Sequence, residues 1–244
     1  MKTRTDELNR IADEYHLNEA VPDKFIEDIC QEYCCDWLET LIAPADHVIE
    51  LGYGEGITLE RLAPRAASYT VVEGADRLVA LMRARHPGVD AVQALFEDHV
   101  PDEPCDKLLA LHVLEHVDDP VRLARHFRGW LKPGGELLVV VPNRQSLHRQ
   151  LAVLMGLQPE LDTLSPRDRL VGHQRVYDLP TLERDLRDAG FETVERRGFF
   201  LKTLPNAMML GHSPELIQAL NRIGDTLPPE LMANLAIRAR LAGP

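Results

Sequence analysis

From about position 45 the chain alternates short, mostly apolar runs with stretches whose apolar residues recur every three or four positions. The runs predict strands over His47–Leu51, Tyr69–Glu73, Val89–Leu95, Lys107–Val113 and Glu136–Val141. The stretches between them predict helices over Ile57–Ala63, Asp76–Arg85 and Pro120–Leu131, the last closed by "KPGG" at Lys132–Gly135. Alternation of this kind implies right-handed crossovers and a parallel sheet.

Two helical patterns come first, Asp6 to Tyr15 and about Pro22 to Ile42, with Asp23 suited to the second helix's start and Pro44 beyond its end. The back third is less regular. Gln145–Met155 reads as a helix, and residues from Gly156 to about position 176 as a partly polar insertion. Leu179–Ala189 is a helix closed by Gly190, Phe191–Phe199 a strand and Pro214–Ile223 a helix. The end, "ANLAIRARL", alternates at period two and predicts a seventh strand over Ala233–Leu241, antiparallel to the others. The expectation is an α/β domain over 45–244 with a mostly parallel seven-stranded sheet, under a helical cover formed by residues 1–44.

Composition narrows the partners. The 244 residues are 45% hydrophobic, enough for a large core, and carry 39 acids against 27 Lys and Arg, a formal net charge of −12. Binding a polyanion requires basic side chains against phosphates, so nucleic acid and anionic membranes are not expected partners. No apolar run reaches the ~18 residues of a membrane span. The four cysteines form no C-x-x-C pair and no signal-peptide pattern opens the chain, so a reducing cytoplasm is the expected location.

The chemistry concentrates in "ELGYGEG", Glu50–Gly56. Gly52, Gly54 and Gly56 follow a strand and precede a helix, where a tight turn needs unusual backbone angles and a ligand can approach the main chain. The spacing G-x-G-x-G is not the G-x-G-x-x-G of dinucleotide sites, and the turn lacks the Lys of a P-loop. Glu50 and Glu55 would repel a pyrophosphate and suit a cationic cofactor, which points away from NAD and towards a sulfonium. Glu73 stands 21 residues after Gly52 at the end of the second strand, where a carboxylate can accept ribose hydroxyls or cap the next helix.

These segments resemble the class I S-adenosylmethionine (SAM)-dependent methyltransferases, and in particular the ubiquinone-pathway-type and other small-molecule enzymes. "VIELGYGEG", "VVEGAD", "LLALHVLEHVDDP", "LKPGGELLVVVPN" and "DLPTLERDLRDAGFETV" carry the resemblance, over roughly Asp46–Phe199. It implies a Rossmann-like, doubly wound fold. It also implies SAM as cofactor, with Glu50, Gly52, Tyr53, Gly54 and Gly56 around the methionyl part and Glu73 on the ribose. Gly74, Ala75, Phe96 and Glu97 would lie beside the adenine, and Leu111 and His112 at the methionyl end. Leu95 stands where many relatives have an aspartate.

Methyl transfer needs alignment and, for some acceptors, a base. His112 and His116 lie four residues apart beside Glu115. His116 is a candidate base or, equally, a brace of its loop; a divalent ion on His112, Glu115 and His116 is a weaker alternative, and no metal is expected. In "GHQRVYD", His173 is favoured as an acceptor-side catalytic residue, Arg175 could line the pocket and Tyr177 is read as packing. Asn143 lies at the ligand-bearing sheet edge, Lys202 could pair with an anionic acceptor or stand exposed, and Tyr15 and Tyr33 could close over the cofactor or simply pack. The expected reaction is methylation of an oxygen or nitrogen of a small molecule, with a non-catalytic SAM-binding protein and an RNA methyltransferase as rivals. A homodimer contact through Met208–Leu210 or "LPPEL" stays open.

Overall fold

The central part of the sheet is covered on both faces by apolar layers. The computed structural model describes residues 3–243. In chain order it contains α1 (Arg4–Ile11), α2 (Lys24–Glu39), β1 (His47–Leu51), α3 (Ile57–Leu62), β2 (Ser68–Glu73), α4 (Asp76–Arg85), β3 (Asp90–Gln93), β4 (Cys105–Leu111) and α5 (Pro120–Phe127). There follow β5 (Leu131–Pro142), α6 (Leu147–Leu154), α7 (Pro166–Leu170), α8 (Leu179–Asp188), β6 (Phe191–Phe199), α9 (Pro214–Gly224) and β7 (Asn234–Leu241). The strands form one sheet in the order β3-β2-β1-β4-β5-β7-β6, with β7 antiparallel to both its neighbours and the other strands parallel.

Ile49, Leu108, Leu137, Val139 and Ile237 point to one side, against Leu123 and Phe127 of α5 and Leu182 and Leu186 of α8. Val48, Val71, Leu109, Leu138 and Val140 point to the other, against Trp37 and Leu38 of α2, Leu59 and Leu62 of α3, and Met82 of α4. A third, smaller cluster joins Ile26 and Cys30 of α2 to Phe200, Met209 and Ile217. All four cysteines are free and buried, as packing residues.

Several boundaries differ from the sequence reading, each for a local reason. The first helix continues through Ala12–His16 as a π-turn, closed by Leu17 N–H donating to Ala12 O at 2.8 Å. Asp23 makes no side-chain cap on α2, because its carboxylate is taken by the Arg167 guanidinium at 2.5 and 2.8 Å. β4 stops at Leu111 rather than Val113, because His112 takes a left-handed φ of +56°. α5 stops at Phe127, a 3-10 turn follows, and "KPGG" is carried inside β5, with Gly134 at φ +83°. The insertion holds the short helix α7, started by a capping box between Ser165 and Asp168. Among the described residues, no helix is long and apolar enough to cross a membrane.

Candidate active site

The turn after β1 is built on three left-handed glycines, Gly52 (φ +85°), Gly54 (+53°) and Gly56 (+85°). A Cβ on Gly52 or Gly54 would meet nothing within 4 Å, so the main chain there borders open space. A Cβ on Gly56 would strike the Tyr53 ring at 2.7–2.9 Å, and that ring is packed in the core beneath the turn. At the end of β2, Glu73 Oε2 accepts the Tyr53 N–H at 2.9 Å and Oε1 the Ala75 N–H at 2.7 Å. A carboxylate has about four acceptor positions, so each oxygen keeps one.

These groups line one cavity of about 930 Å³ at the C-terminal ends of β1, β2 and β4, together with Gly74, Phe96, Glu97 and His112. That size is at the upper end of the ~300–1,000 Å³ typical of small-ligand sites, and the position is where open parallel sheets bind ligands. Glu50 is 4% exposed and accepts the Tyr69 hydroxyl at 2.9 Å. Burial pushes its carboxyl up to about 8, against the hydrogen bonds from Tyr69 and Thr58 that favour the charged form. A buried carboxyl at that value is poised for a cation. Glu55 is not: it is bound at 2.9 Å by His16 and at 3.5 Å by Lys24, tying the glycine turn to the N-terminal helices. Despite its burial, the His16 contact holds its carboxyl below the ordinary range.

Across the cavity, His116 and His173 pack edge to face, with ring centroids 4.7 Å apart. His173 Nδ1 lies 3.0 Å from Asp168 Oδ1, and its Nε2 lies 3.9 Å from Glu115 Oε1. Asp168 also accepts from the buried Arg149 guanidinium at 2.8 Å. Burial opposes ionisation of Asp168, but the His173 and Arg149 contacts outweigh it and hold the carboxyl well below its usual range. Burial lowers His116 to about 4, more than the neighbouring Glu115 raises it. Glu115 is fully buried; its hydrogen bond with His112 Nδ1, 3.1 Å, keeps its carboxyl low against the desolvation and raises His112.

A family model described as "Methyltransferase domain" matches residues 26–196. The chain belongs to the SAM-dependent methyltransferase family. It is 32% identical over 197 residues to a Mycobacterium tuberculosis protein described as a probable S-adenosylmethionine-dependent methyltransferase, covering 79% of this chain and 66% of that one. It is 32% identical over 127 residues to the ubiquinone biosynthesis O-methyltransferase of Xanthomonas campestris pv. campestris, covering 49% of this chain and 53% of that one. The chain thus spans about two thirds or less of the length of these curated relatives. In fold it is similar to a SAM-dependent methyltransferase of Thermotoga maritima, a possible histamine N-methyltransferase, with a TM-score of 0.62 at 21% identity, over 95% of this chain and 98% of that one.

The methyltransferase cavity gathers most of the residues singled out by sequence, but not all. Asn143 is fully buried and outside the lining; its amide donates to the Glu230 and Met232 carbonyls, both at 2.7 Å, and so pins β5 to the segment before β7. Arg175 holds the carbonyls of Leu114, Val117 and Asp118, bracing the loop after β4, and Tyr177 is core. Tyr33 bonds to Asp225 away from the cavity, whereas Tyr15 lines it beneath the Arg167 guanidinium, 5.2 Å from the ring centroid. A metal-type grouping exists with different membership: the ligand atoms of Glu115, His116 and His173, not His112, lie within 4.8 Å of one another. Arg149, Asp168, His148 and Asn206 also belong to the cavity wall and were not found by sequence. His148 and Arg149 come from α6, Asp168 from α7 and Asn206 from the 3-10 turn Asn206–Met208, and no local pattern links these segments.

Proposed function

We propose that this methyltransferase transfers the methyl group of SAM to an oxygen or nitrogen of a small-molecule acceptor. The observation that carries the reading is that the glycine turn and the His116–His173 pair open onto one cavity. On the cofactor side, Gly52, Tyr53, Gly54 and Gly56 would offer main chain, Glu50 a charge partner for the cation, Glu73 its remaining acceptor positions to the ribose, and Gly74, Phe96, Glu97 and His112 the flanking walls. The fit rests on the open space at Gly52 and Gly54 and on the elevated Glu50 carboxyl. When bound, SAM supplies a methyl carbon already activated by its sulfonium.

His173 is the base in this reading. Asp168, ionised and therefore only an acceptor, requires the proton of the neutral ring on Nδ1, which leaves the Nε2 lone pair for the acceptor. Nε2 would accept the O–H or N–H proton that the acceptor gives up as it takes the methyl group. His116, neutral near pH 7, packs on the base's flank and completes the pair facing the acceptor. The acidic balance of the chain favours a small acceptor over RNA.

The test is SAM-dependent formation of S-adenosylhomocysteine (SAH) against a small-molecule acceptor panel. His173→Asn is expected to lower kcat by about 100-fold or more with SAH affinity unchanged. Unchanged kcat would make the pair a brace. Loss of turnover on chelation, restored by a divalent ion, would transfer the role to a metal on Glu115, His116 and His173. Absence of SAH binding to the wild-type chain would overturn the whole reading.

A further inference from the structure

Beyond the histidine pair, the cavity wall is completed by α6, by the chain leaving β6 and by the 3-10 turn Asn206–Met208. The exit from β6 is built under constraint: Phe200 is a non-glycine residue at φ +66°, and Lys202 N–H turns back to donate to Phe200 O at 2.8 Å. Such conformations persist where the surrounding structure holds them, often at ligand sites. Here the turn delivers Lys202 to the cavity wall.

The charges around the cavity are unevenly matched. Lys24 is within 3.5 Å of Glu55, Arg149 within 2.8 Å of Asp168, Arg167 within 2.5 Å of Asp23, and Arg4 donates to the His116 carbonyl. Among the described residues, the Lys202 ammonium has neither hydrogen bond nor ion pair. Among the described residues, the lining acids without a cation within 4 Å are Asp28, Glu50, Glu73 and Glu97; Glu50 and Glu73 lie at the C-terminal ends of β1 and β2, and Glu97 follows β3. One end of the cavity is therefore set for positive charge, and the other holds an unmatched ammonium.

Two residues of the same cavity wall, Asn206 and His148, each carry a polar atom without a partner among the described residues. Asn206 is 5% exposed, and its Nδ2 donates to Glu27 Oε1 at 2.5 Å, which fixes the amide's orientation because the flipped form would set two oxygens together. Its Oδ1 then has no partner, and nor does His148 Nδ1. Burial, reinforced by Lys202 and Arg149, keeps the His148 ring neutral. Buried polar atoms without partners cost on the order of 1–3 kcal/mol each, so a site that keeps them is shaped for a ligand that satisfies them.

We propose that the acceptor is a small carboxylic acid, its carboxylate paired with Lys202 and one of its hydroxyl or amine groups donating to Asn206 Oδ1. A single ammonium without an ion pair of its own matches the one charge of a carboxylate better than the two of a phosphate. The inference rests on the methyl-transfer reading and deepens it, since it fixes the acceptor's orientation with the tail at Lys202 and the reacting atom near His173.

The test titrates the full-length, SAH-loaded protein with hydroxybenzoates, hydroxycinnamates and N-acyl amino acids, each paired with its carboxamide. Binding of acids is expected to exceed that of their amides by about tenfold or more, since a charged hydrogen bond outweighs a neutral one. The preference should vanish in Lys202→Met and return in Lys202→Arg, with SAH affinity constant throughout. Equal binding of acids and amides, binding of neither, or a preference that survives in Lys202→Met overturns the proposal. All three leave the methyl-transfer reading standing where SAH binds, whereas failure of SAH binding removes that reading first.

Discussion

If Glu50 faces the cofactor as proposed, one side chain makes cofactor capture sensitive to pH. With its carboxyl raised to about 8 by burial, it is mostly protonated at pH 7 in the free protein. A cation beside it favours the carboxylate, so SAM binding should release close to one proton at pH 7, and affinity should rise with pH and level off above about 8. Calorimetry in buffers of different ionisation enthalpy measures that proton directly; a heat independent of buffer would detach Glu50 from the cofactor. The sequence made Glu50, the glycines and Glu73 legible because strand, turn and helix are contiguous there. It assigned Glu55 to the same task, and the structure gives that side chain to His16 and Lys24 instead. Nothing local to "GEG" announces a partner 39 residues upstream.

At the level of elements, the insertion was the least legible part and is among the most tightly tied. Asp168 accepts from Ser165 N–H at the start of α7, from Arg149 of α6 and from His173, and Arg149 also donates to the Thr163 carbonyl at 2.9 Å. Both partners are more than nine-tenths buried. Asp168→Ala would leave the Arg149 charge without compensation, at a cost of about 3–5 kcal/mol in urea unfolding, whereas Arg149→Met combined with Asp168→Ala should recover much of it. A loss below ~1 kcal/mol in the single variant would show that α6 and α7 do not depend on this pair. The regular elements were legible because periodicity reports burial directly: Leu137, Val139 and Val141 face one layer and Leu138 and Val140 the other. Their ends were not, because each depends on one residue's tertiary role, as with His112 at the end of β4 and Asp23 before α2.

For the molecule as a whole, acid should act first through histidines. His116 is lowered from the ordinary 6.5 to about 4, and His148 is lowered further, both chiefly by burial. Because the unfolded chain binds more protons at these positions, their contribution is complete above pH 6.5 and is lost as pH falls through the window towards 4. His112, raised by Glu115, works in the opposite sense. Replacing His148 by Leu should therefore flatten the fall of thermal stability between pH 6.5 and 4 by about 1 kcal/mol or more; an unchanged slope would show that the ring is not kept neutral by its surroundings. The placement of β7 between β5 and β6 bears on how this molecule is made. During synthesis, β6 emerges with no partner strand available, and the second edge of β5, whose first edge pairs with β4, stays open until Asn234–Leu241 arrives between them. The cavity wall around Phe199, Phe200, Ala233 and Asn234 forms only with β7 in place. The nascent chain can thus assemble its glycine turn early, but the opposite wall of the cavity closes only once Asn234–Leu241 has emerged.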